Sequence, residues 1–525
     1  MLEPHSGQNG WRSITEGGTL PRPLQSTAFI DDEGPVSTKP SHSPIGLVSS
    51  TQSPSSTEDR PTSSCTTRCS LAPAWSLSLT RSDNVLLSFY LEHLLPFMFP
   101  FFRPSLHEGG RAWLLELMIN SPVMRRATLC QSAYFFPLLV MGREPEVESV
   151  LGQTNGAFEI LRAALELIGG SSVVEHLHGT VRILASIMQV QRFFIALSSF
   201  EHCQAHLHAA LALFVQILDS VDADDQPAEQ GTSFDIVMSR LGPPTEVVQV
   251  SGFRVPSAEQ TAFRFASSLL ILDDIVASTE RQEEPKLYRH HRELLDPTTA
   301  AGSAIKVEHV VGCQNWVLLQ VGETAALVAW KKRCREDGDL DVMELVRRAA
   351  DIKHALESGL ASLELAPVDR GHERNSSLAD MFAADCSLDP SATAASDSVL
   401  ATRIWAHAAL IYLSIMVSGW QPSNATIRCH IASIMQLTSD QKISTSLLRT
   451  MGWPLCVAGC LATCEQEAFW RYLLGNLQPA GAFAPLKKAL QLMEEAWASR
   501  DLPGSPTDRD LATIFACREE LVLLV

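Results

Sequence analysis

Basic residues are scarce in this chain, which has 41 Lys and Arg against 59 Asp and Glu over 525 residues and a formal net charge of −18. Such a surface repels polyphosphate as a whole, so nucleic acid would have to be contacted locally or through a partner. Long apolar runs are also lacking, because the most apolar stretch, residues 86–102, is interrupted by Glu92, His93 and Pro96. We therefore expect no signal peptide, membrane span or membrane partner.

Common catalytic and nucleotide-binding signatures are missing as well. The chain has no Gly-Lys dipeptide, which excludes a phosphate-binding P-loop, and neither G-x-S-x-G nor G-x-G-x-x-G occurs. The 12 cysteines are scattered, which favours free thiols in a reducing compartment over a secreted disulfide scaffold. Cys65 and Cys69 have no close cysteine neighbours, which leaves a regulatory disulfide as their remaining chemistry.

The first 80 residues differ in composition from the rest of the chain. They contain 35 Ser, Thr or Pro and few aliphatic residues in periodic register, so they bury too little apolar area to offset the entropy of ordering. We predict a disordered tail over residues 1–80. Ser43 and Ser53, each followed by proline, are candidate phosphorylation sites, and an unmodified tail is the alternative.

Residues 81–525 are predicted to form one helical domain. Ser82 and Ser121 stand at helix N-cap positions, Pro122 follows at the first helical position, and Ser257 and Gln260 have the spacing of a capping box. Further helical runs cover residues 157–170, 173–219, 305–334, 340–364, 397–418, 441–475, 483–499 and 507–523. The sequence therefore predicts an all-α fold of about fourteen helices.

Two long interruptions divide this array of helices. Residues 220–254 are acidic and then rich in Gly and Pro, and residues 366–397 are small and polar, so both are predicted loops or linkers. The best alternating strand pattern lies at residues 245–253.

Cys456, Cys460 and Cys464 lie four residues apart, a spacing that raises the question of a metal site. On one helix they would form a drifting stripe whose ends are about 12 Å apart, too far for a single tetrahedral zinc ion. Because free cysteine behaves as a small apolar residue, we interpret residues 453–470 as a buried helix.

The most metal-like pattern lies at residues 201–214. His202 and His206 share a predicted helix face, and Glu201 or His208 could supply a third ligand. A capped, partly buried helix without metal is the alternative.

Asp273 and Asp274 invite comparison with the magnesium-binding aspartates of all-α terpene synthases. Position 277 is Ala, however, and no second acidic motif is found. We expect a carboxylate pair at a helix end or polar interface, and we predict no catalytic, cofactor-binding or metal-binding residue.

The one compact basic run contains Lys331, Lys332, Arg333 and Arg335. It fits recognition by nuclear import proteins, and it also fits the preference for cations at the C-terminal end of a helix.

Four stretches carry a recurring set of apolar and small residues: 86–105, 110–136, 261–279 and 451–462. The positions concerned are Trp113, Leu114, Leu115, Ser121, Pro122, Leu129, Ser132, Ala133, Tyr134, Asp274, Trp453, Pro454, Ala458 and Gly459. In this order they resemble the regulatory domain of fungal zinc-cluster (Zn2Cys6) transcription factors, the fungal-specific transcription factor domain type. The resemblance spans about residues 82–524.

The resemblance implies a nuclear, non-enzymatic transcriptional regulator, often of metabolic or secondary-metabolite genes. Its helical domain would act through a DNA-binding transcription factor, other transcription machinery, a small-molecule effector, or a homo- or heterodimer. The six-cysteine DNA-binding cluster typical of the family is not found. Two explanations fit: a coregulator that reaches promoters through a DNA-binding partner, or a gene model that begins downstream of the true start and omits an upstream zinc cluster. An all-α enzyme and a cytoplasmic scaffold are the rival hypotheses.

Overall fold

The fold is built almost entirely from α-helices, which confirms the predicted class. The computed structural model describes residues 79–143, 176–222, 232–248, 253–296, 303–365, 390–440, 443–500 and 521–525. The earlier helices are α1 (Arg81–Phe89), α2 (Leu95–Met98), α3 (Ala112–Asn120), α4 (Pro122–Met141), α5 (Leu177–Ala196), α6 (Cys203–Asp222), α7 (Ser233–Arg240) and α8 (Ala258–Arg281).

The later helices complete the described part of the chain. They are α9 (Tyr288–Leu295), α10 (Glu308–Val311), α11 (Asn315–Asp337), α12 (Val342–Leu365), α13 (Pro390–Ser418), α14 (Ala425–Asp440), α15 (Thr445–Arg449), α16 (Gly452–Cys460), α17 (Cys464–Gly475) and α18 (Ala484–Ala498). A π-helical turn (Tyr90–Leu94) joins α1 to α2, and 3-10 turns cover Leu106–Glu108, Phe200–His202 and Ala480–Phe483.

Side-chain caps explain where several helices begin. The hydroxyl of Ser121 accepts a hydrogen bond from the backbone N–H of Met124 at 3.2 Å. Ser257 and Gln260 form the reciprocal bonds of a capping box, and both predictions are thereby confirmed.

The predicted start of the first helix was wrong by two residues. Thr80, rather than Ser82, is the N-cap, because Thr80 and Asp83 exchange the two hydrogen bonds of a capping box. That box satisfies two backbone donors, whereas a cap at Ser82 would leave them exposed.

The central helix of the fold is α8. All but three of its 24 residues are buried, the exceptions being Thr261, Arg264 and Arg281. Helices α3, α5, α6, α10 and α11 pack around it. A helix enclosed on every side must bury its polar residues too, so each of them needs a partner inside the protein.

The predicted loop at residues 220–254 contains regular structure. Helix α7 begins there with a Thr232–Asp235 capping box and buries Phe234 and Val237. Strand β1 (Thr245–Val248) pairs antiparallel with β2 (Phe253–Val255), which places a strand within the predicted pattern at 245–253. The loop prediction was therefore wrong over these segments; residues 223–231 and 249–252 lie outside the described residues.

Other predicted boundaries also change. Helix α13 begins at Pro390, so the predicted loop at 366–397 extends too far, and its residues 366–389 lie outside the described part. The single run predicted over 441–475 is three helices, α15, α16 and α17. Residues 521–523 of the predicted run 507–523 are not helical, and 507–520 are not described, nor are the tail residues 1–78 and the predicted helix 157–170.

Residues Ala395–Ser418 of α13 are long and apolar enough to cross a membrane by length and composition alone. Of their most apolar window, 78% is buried inside the protein. Helices α11, α12, α14 and α16 pack against α13, the environment of a core helix.

Candidate functional site

The polar residues of α5 and α8 meet in the core. Asp273, which is fully buried, accepts hydrogen bonds from Gln191 Nε2 at 2.7 Å and from Arg192 Nη2. Arg192 also donates to the carbonyl oxygen of Leu269 at 3.2 Å. Burial raises the pKa of Asp273 to about 6, and the positive charge of Arg192 opposes that rise.

Asp274 is occupied by backbone groups instead. Its two carboxylate oxygens accept hydrogen bonds from the N–H of Lys286 at 3.0 Å and of Leu287 at 2.8 Å, which fixes the start of the segment leading to α9. His291 Nε2 lies 3.8 Å from Asp274 Oδ2. The pair at 273–274 thus lies at a buried polar interface, as predicted, and both carboxylates make structural bonds.

A second buried network joins the π-helical turn to α4 and α5. The amide nitrogen of Gln189 lies 2.9 Å from Tyr90 Oη and 2.7 Å from Gln131 Oε1. Gln189 also lines a cavity of about 10 Å³ among Trp113, Met188 and neighbouring apolar side chains. This volume is about that of one water molecule, so the cavity as it stands does not admit an organic effector.

Residues 521–525, here called the buried strap, have no regular secondary structure, and all but Val525 are buried. The carbonyl oxygen of Leu524 accepts a hydrogen bond from Trp453 N at 2.9 Å, and Val522 N donates to Glu280 Oε1 at 2.9 Å. The other oxygen of Glu280 is buried without a hydrogen-bond partner. Burial raises the pKa of Glu280 to about 8, against the smaller opposing effects of the Val522 hydrogen bond and of Arg281.

The cysteine triplet does not lie on one helix. Cys456 and Cys460 belong to α16 and are buried with their sulfur atoms 3.9 Å apart, whereas Cys464 begins α17 and is exposed. The prediction of a single buried helix was therefore right for the first two cysteines and wrong for the third. The hydrogen bond with Cys460, together with burial, raises the pKa of Cys456 well above its usual range, which leaves that thiol protonated and unreactive.

The three histidines of this pattern face different neighbours; His202 ends the 3-10 turn before α6, and His206 and His208 lie on α6. The rings of His202 and His206 both pack against Phe194, at centroid distances of 5.5 and 5.7 Å. His208 instead lies with Nε2 3.3 Å from Arg281 Nη1. Burial, and then the charge of His202, lower the pKa of His206 to about 4. Within the described ranges, no three His, Cys, Asp or Glu side chains are grouped as metal ligands would be.

The basic run forms the last turns of α11. Lys331 donates to the carbonyl oxygen of Met416 on α13, and Arg333 Nη2 lies 3.5 Å from Glu284 Oε2. An extended import signal would require this part of α11 to unfold, so the geometry favours the helix-end interpretation of the run. Cys65, Cys69, Ser43 and Ser53 lie outside the described residues.

The recurring apolar pattern of the sequence forms packing contacts. Trp453 is 1% exposed and stacks on Trp405 with ring centroids 5.1 Å apart. Gly459 leaves no room for a side chain, because a Cβ there would lie 2.4 Å from Met493 Sδ. Leu115, at 44% exposure, and Pro122 are the exposed members of the pattern. These residues position helices and make no chemical site.

The sequence interpretation missed four buried Arg and Glu residues in the described part of the chain: Arg192, Glu259, Glu280 and Arg449. Each looks ordinary in the sequence; Glu280, for example, precedes Arg281 near a helix end, and Arg449 follows Leu447 and Leu448. Only the packing of distant segments against them makes their charges unusual. A charged residue at the edge of an apolar face was the available signal, and it is a weak one.

Comparison with known proteins supplies the functional context. A family profile described as "Fungal specific transcription factor domain" matches residues 85–524. The chain is 33% identical over 448 residues to the transcription factor dibT of Pestalotiopsis microspora, covering 83% of this chain and 70% of that protein. No solved structure matches the chain.

Two further relatives are similar over comparable lengths. The pestheic acid cluster transcriptional regulator 3 of Pestalotiopsis fici is 26% identical, with 83% of this chain and 74% of that protein covered. The trichothecene biosynthesis transcription regulator TRI10 of Trichoderma arundinaceum is 26% identical, with 81% and 93% covered.

Proposed function

This chain belongs to the fungal specific transcription factor domain family, and we propose from that premise that it regulates secondary-metabolite genes in the nucleus through protein partners. The observation that carries the proposal is the family match over residues 85–524, which includes nearly all described residues. Relatives named for pestheic acid and trichothecene biosynthesis support the choice of target genes.

The electrostatics support action through a partner rather than direct DNA contact by the helical domain. The chain carries a net charge of −18, and its compact basic run is held within α11. Binding to duplex DNA depends on many Lys and Arg side chains that face the phosphates. DNA would therefore be reached through a DNA-binding transcription factor, through a zinc cluster joined to this domain, or within a homo- or heterodimer.

The regulatory step would be a change in helix packing that alters partner affinity. A ligand shifts such an equilibrium only by binding one arrangement more tightly than the other. The roughly 10 Å³ cavity beside Gln189 is too small for an effector, so effector binding there would need a rearrangement of the helices around it. The structural use of Asp273 and Asp274 argues against the enzyme alternative.

The test is chromatin immunoprecipitation of the full 525-residue chain, tagged at its C-terminus and expressed from its own locus, with transcript measurement in a deletion strain. We expect reproducible promoter occupancy and altered expression of the neighbouring biosynthetic genes. In parallel, the full chain is fused to a heterologous DNA-binding domain and assayed on a reporter. The controls are that domain alone and a reporter without its operator.

Occupancy with altered transcripts would support the proposal, and a reporter response would show that the chain acts once it is brought to DNA. An abundant, folded chain that occupies no promoter and leaves the reporter unchanged would contradict it. The enzyme and scaffold hypotheses would then take its place.

A further inference from the structure

Arg449, the last residue of α15, is a buried cation for which the described residues supply no carboxylate. Its side chain is 8% exposed, and Nε donates to the carbonyl oxygen of Ala482 at 3.3 Å. Its guanidinium carbon lies 5.3 Å from the centre of the Phe97 ring. Within the described part of the chain, Ala482 is its one hydrogen-bond acceptor. Buried arginines are normally paired, because an isolated charge in the core is costly.

A second buried guanidinium, that of Arg192, lies near enough for its charge to act on Arg449. Arg192 is 6% exposed, and its Nε is buried without a hydrogen-bond partner although Nη2 is bound to Asp273. Burial, and then the nearby charge of Arg192, lower the pKa of Arg449 to about 10, still well above neutral pH. The guanidinium of Arg449 is therefore charged at neutral pH, and both side chains retain donors that the described residues leave unused.

The local charges indicate which charge a ligand beside Arg449 would carry. Asp273 neutralises Arg192, which leaves one uncompensated positive charge on Arg449. A ligand with a single negative charge would balance it. The planar guanidinium presents parallel donors that match the two oxygens of a carboxylate.

The surroundings favour an organic anion over a hydrated inorganic one. Phe97 covers one face of the guanidinium, and the ring of Phe483 packs edge-on against Phe97 at 5.8 Å. Helices α2 and α15 and the 3-10 turn Ala480–Phe483 meet at this point, and that turn also contacts α4 and α5. An apolar or aromatic group attached to the carboxylate would contact these side chains.

We propose that Arg449 and Arg192 form a binding site for a small monoanionic carboxylate with an apolar or aromatic group. The carboxylate accepts hydrogen bonds from the terminal nitrogens of Arg449 and from Arg192 Nε, and the apolar group packs beside Phe97. Such a ligand bridges α5 and α15, so it stabilises one arrangement of the two helices. The role of this ligand as an effector rests on the proposed function. Its binding to the chain does not.

The experiment compares benzoate with benzamide on the purified full-length chain. The two probes have nearly the same shape, and only benzoate carries the charge. We expect benzoate, at constant ionic strength, to raise the melting temperature and to bind in calorimetry, with benzamide at least about tenfold weaker because it loses the charge-assisted hydrogen bonds.

Variants then locate the site. Arg449→Met keeps the apolar stem and removes the charge, so it should abolish the difference between benzoate and benzamide while its unliganded melting temperature equals or exceeds that of the wild type. Arg471→Met is the matched control, because Arg471 also lies over an aromatic ring, that of Trp497, but already has Glu467 and Glu494 as partners. It should respond to both probes as the wild type does.

Three results would overturn the proposal: equal binding of benzamide, an unchanged benzoate response in Arg449→Met, or full competition by chloride or phosphate at matched ionic strength. Should Arg449→Met fail to fold, Arg449→Lys and the wild-type probe comparison decide the question. Binding without an effect on the reporter would leave the site in place and remove its effector role. A reporter that responds to the chain although benzoate does not bind would overturn the site and leave the proposed function in place.

Discussion

Replacing Glu280 by Gln tests whether a buried, proton-binding carboxyl holds the buried strap in place. The amide keeps an oxygen for the N–H of Val522, which lies 2.9 Å from Glu280 Oε1, and it cannot ionise. In the native protein the second oxygen of Glu280 has no partner, so charging this group in the core is unfavourable. Glu280→Gln therefore imitates the protonated native side chain.

The pH dependence follows from the raised pKa. Burial moves the pKa of Glu280 from the ordinary 4.5 to about 8, so between these values the folded chain holds a proton that the unfolded chain has released. The free energy of unfolding then falls as pH rises through this window, by at most about 1.4 kcal/mol per pH unit. From pH 5.5 to 7.5 the native chain should lose about 2–3 kcal/mol that Glu280→Gln does not lose.

The assay is denaturant unfolding followed by tryptophan fluorescence at pH 5.5, 6.5 and 7.5. We expect the two proteins to be similar at pH 5.5 and the variant to be the more stable at pH 7.5. Glu344→Gln is the control, because hydrogen bonds from Arg347 and Arg348 lower the pKa of Glu344 to about 2 and place its titration below the tested range. Parallel pH profiles for native protein and Glu280→Gln would refute the reasoning.

Three further substitutions test the core network, a close backbone approach and a helix cap. Asp273→Asn should lower the free energy of unfolding by about 3–5 kcal/mol, because Arg192 loses its buried partner; an unchanged denaturant midpoint would contradict the ion pair. Gly312→Ala should cost about 2 kcal/mol or more in thermal unfolding, since φ is +86° and a Cβ would lie 2.1 Å from the Phe101 ring; a neutral result would reject that packing. Ser257→Ala should cost about 1 kcal/mol in the same assay, and Ser257→Gly only a few tenths, whereas equal losses would argue against the cap.

The helical class was predictable because capping residues and apolar spacing act locally. The starts of α4 and α8 were read from Ser121 and Ser257, which satisfy donors within three residues of themselves. The breaks within residues 441–475 were missed although local signals were present. Pro454 cannot donate a helical hydrogen bond, which favours a new helix start just before it. Thr463 is the N-cap of α17, and its backbone N–H donates to Gln466 Oε1 at 3.1 Å.

The polar contacts of the core could not be predicted from one sequence. Arg192 is 81 residues from Asp273, and Trp453 donates to Thr279 across 174 residues. Local pattern describes which faces are apolar, but it gives no register between helices that are far apart in the chain. Asp273 and Asp274 were therefore predicted only as a carboxylate pair at a helix end or polar interface, and their separate partners are known from the structure alone.

Helix α8 links the buried charge of Arg449, through Asp273 and Arg192, to the buried carboxyl of Glu280. Asp273 binds the guanidinium of Arg192, whose charge acts on Arg449. Glu280, seven residues after Asp273, holds the buried strap about 10 Å farther along nearly the same helix face. Spatial continuity alone does not make the sites communicate, since coupling requires that each prefer the same one of two arrangements. Combining Arg449→Met with Glu280→Gln separates the two cases. Unfolding free energies that add within about 0.5 kcal/mol mean that α8 only joins the sites, and a larger deviation means that it transmits between them.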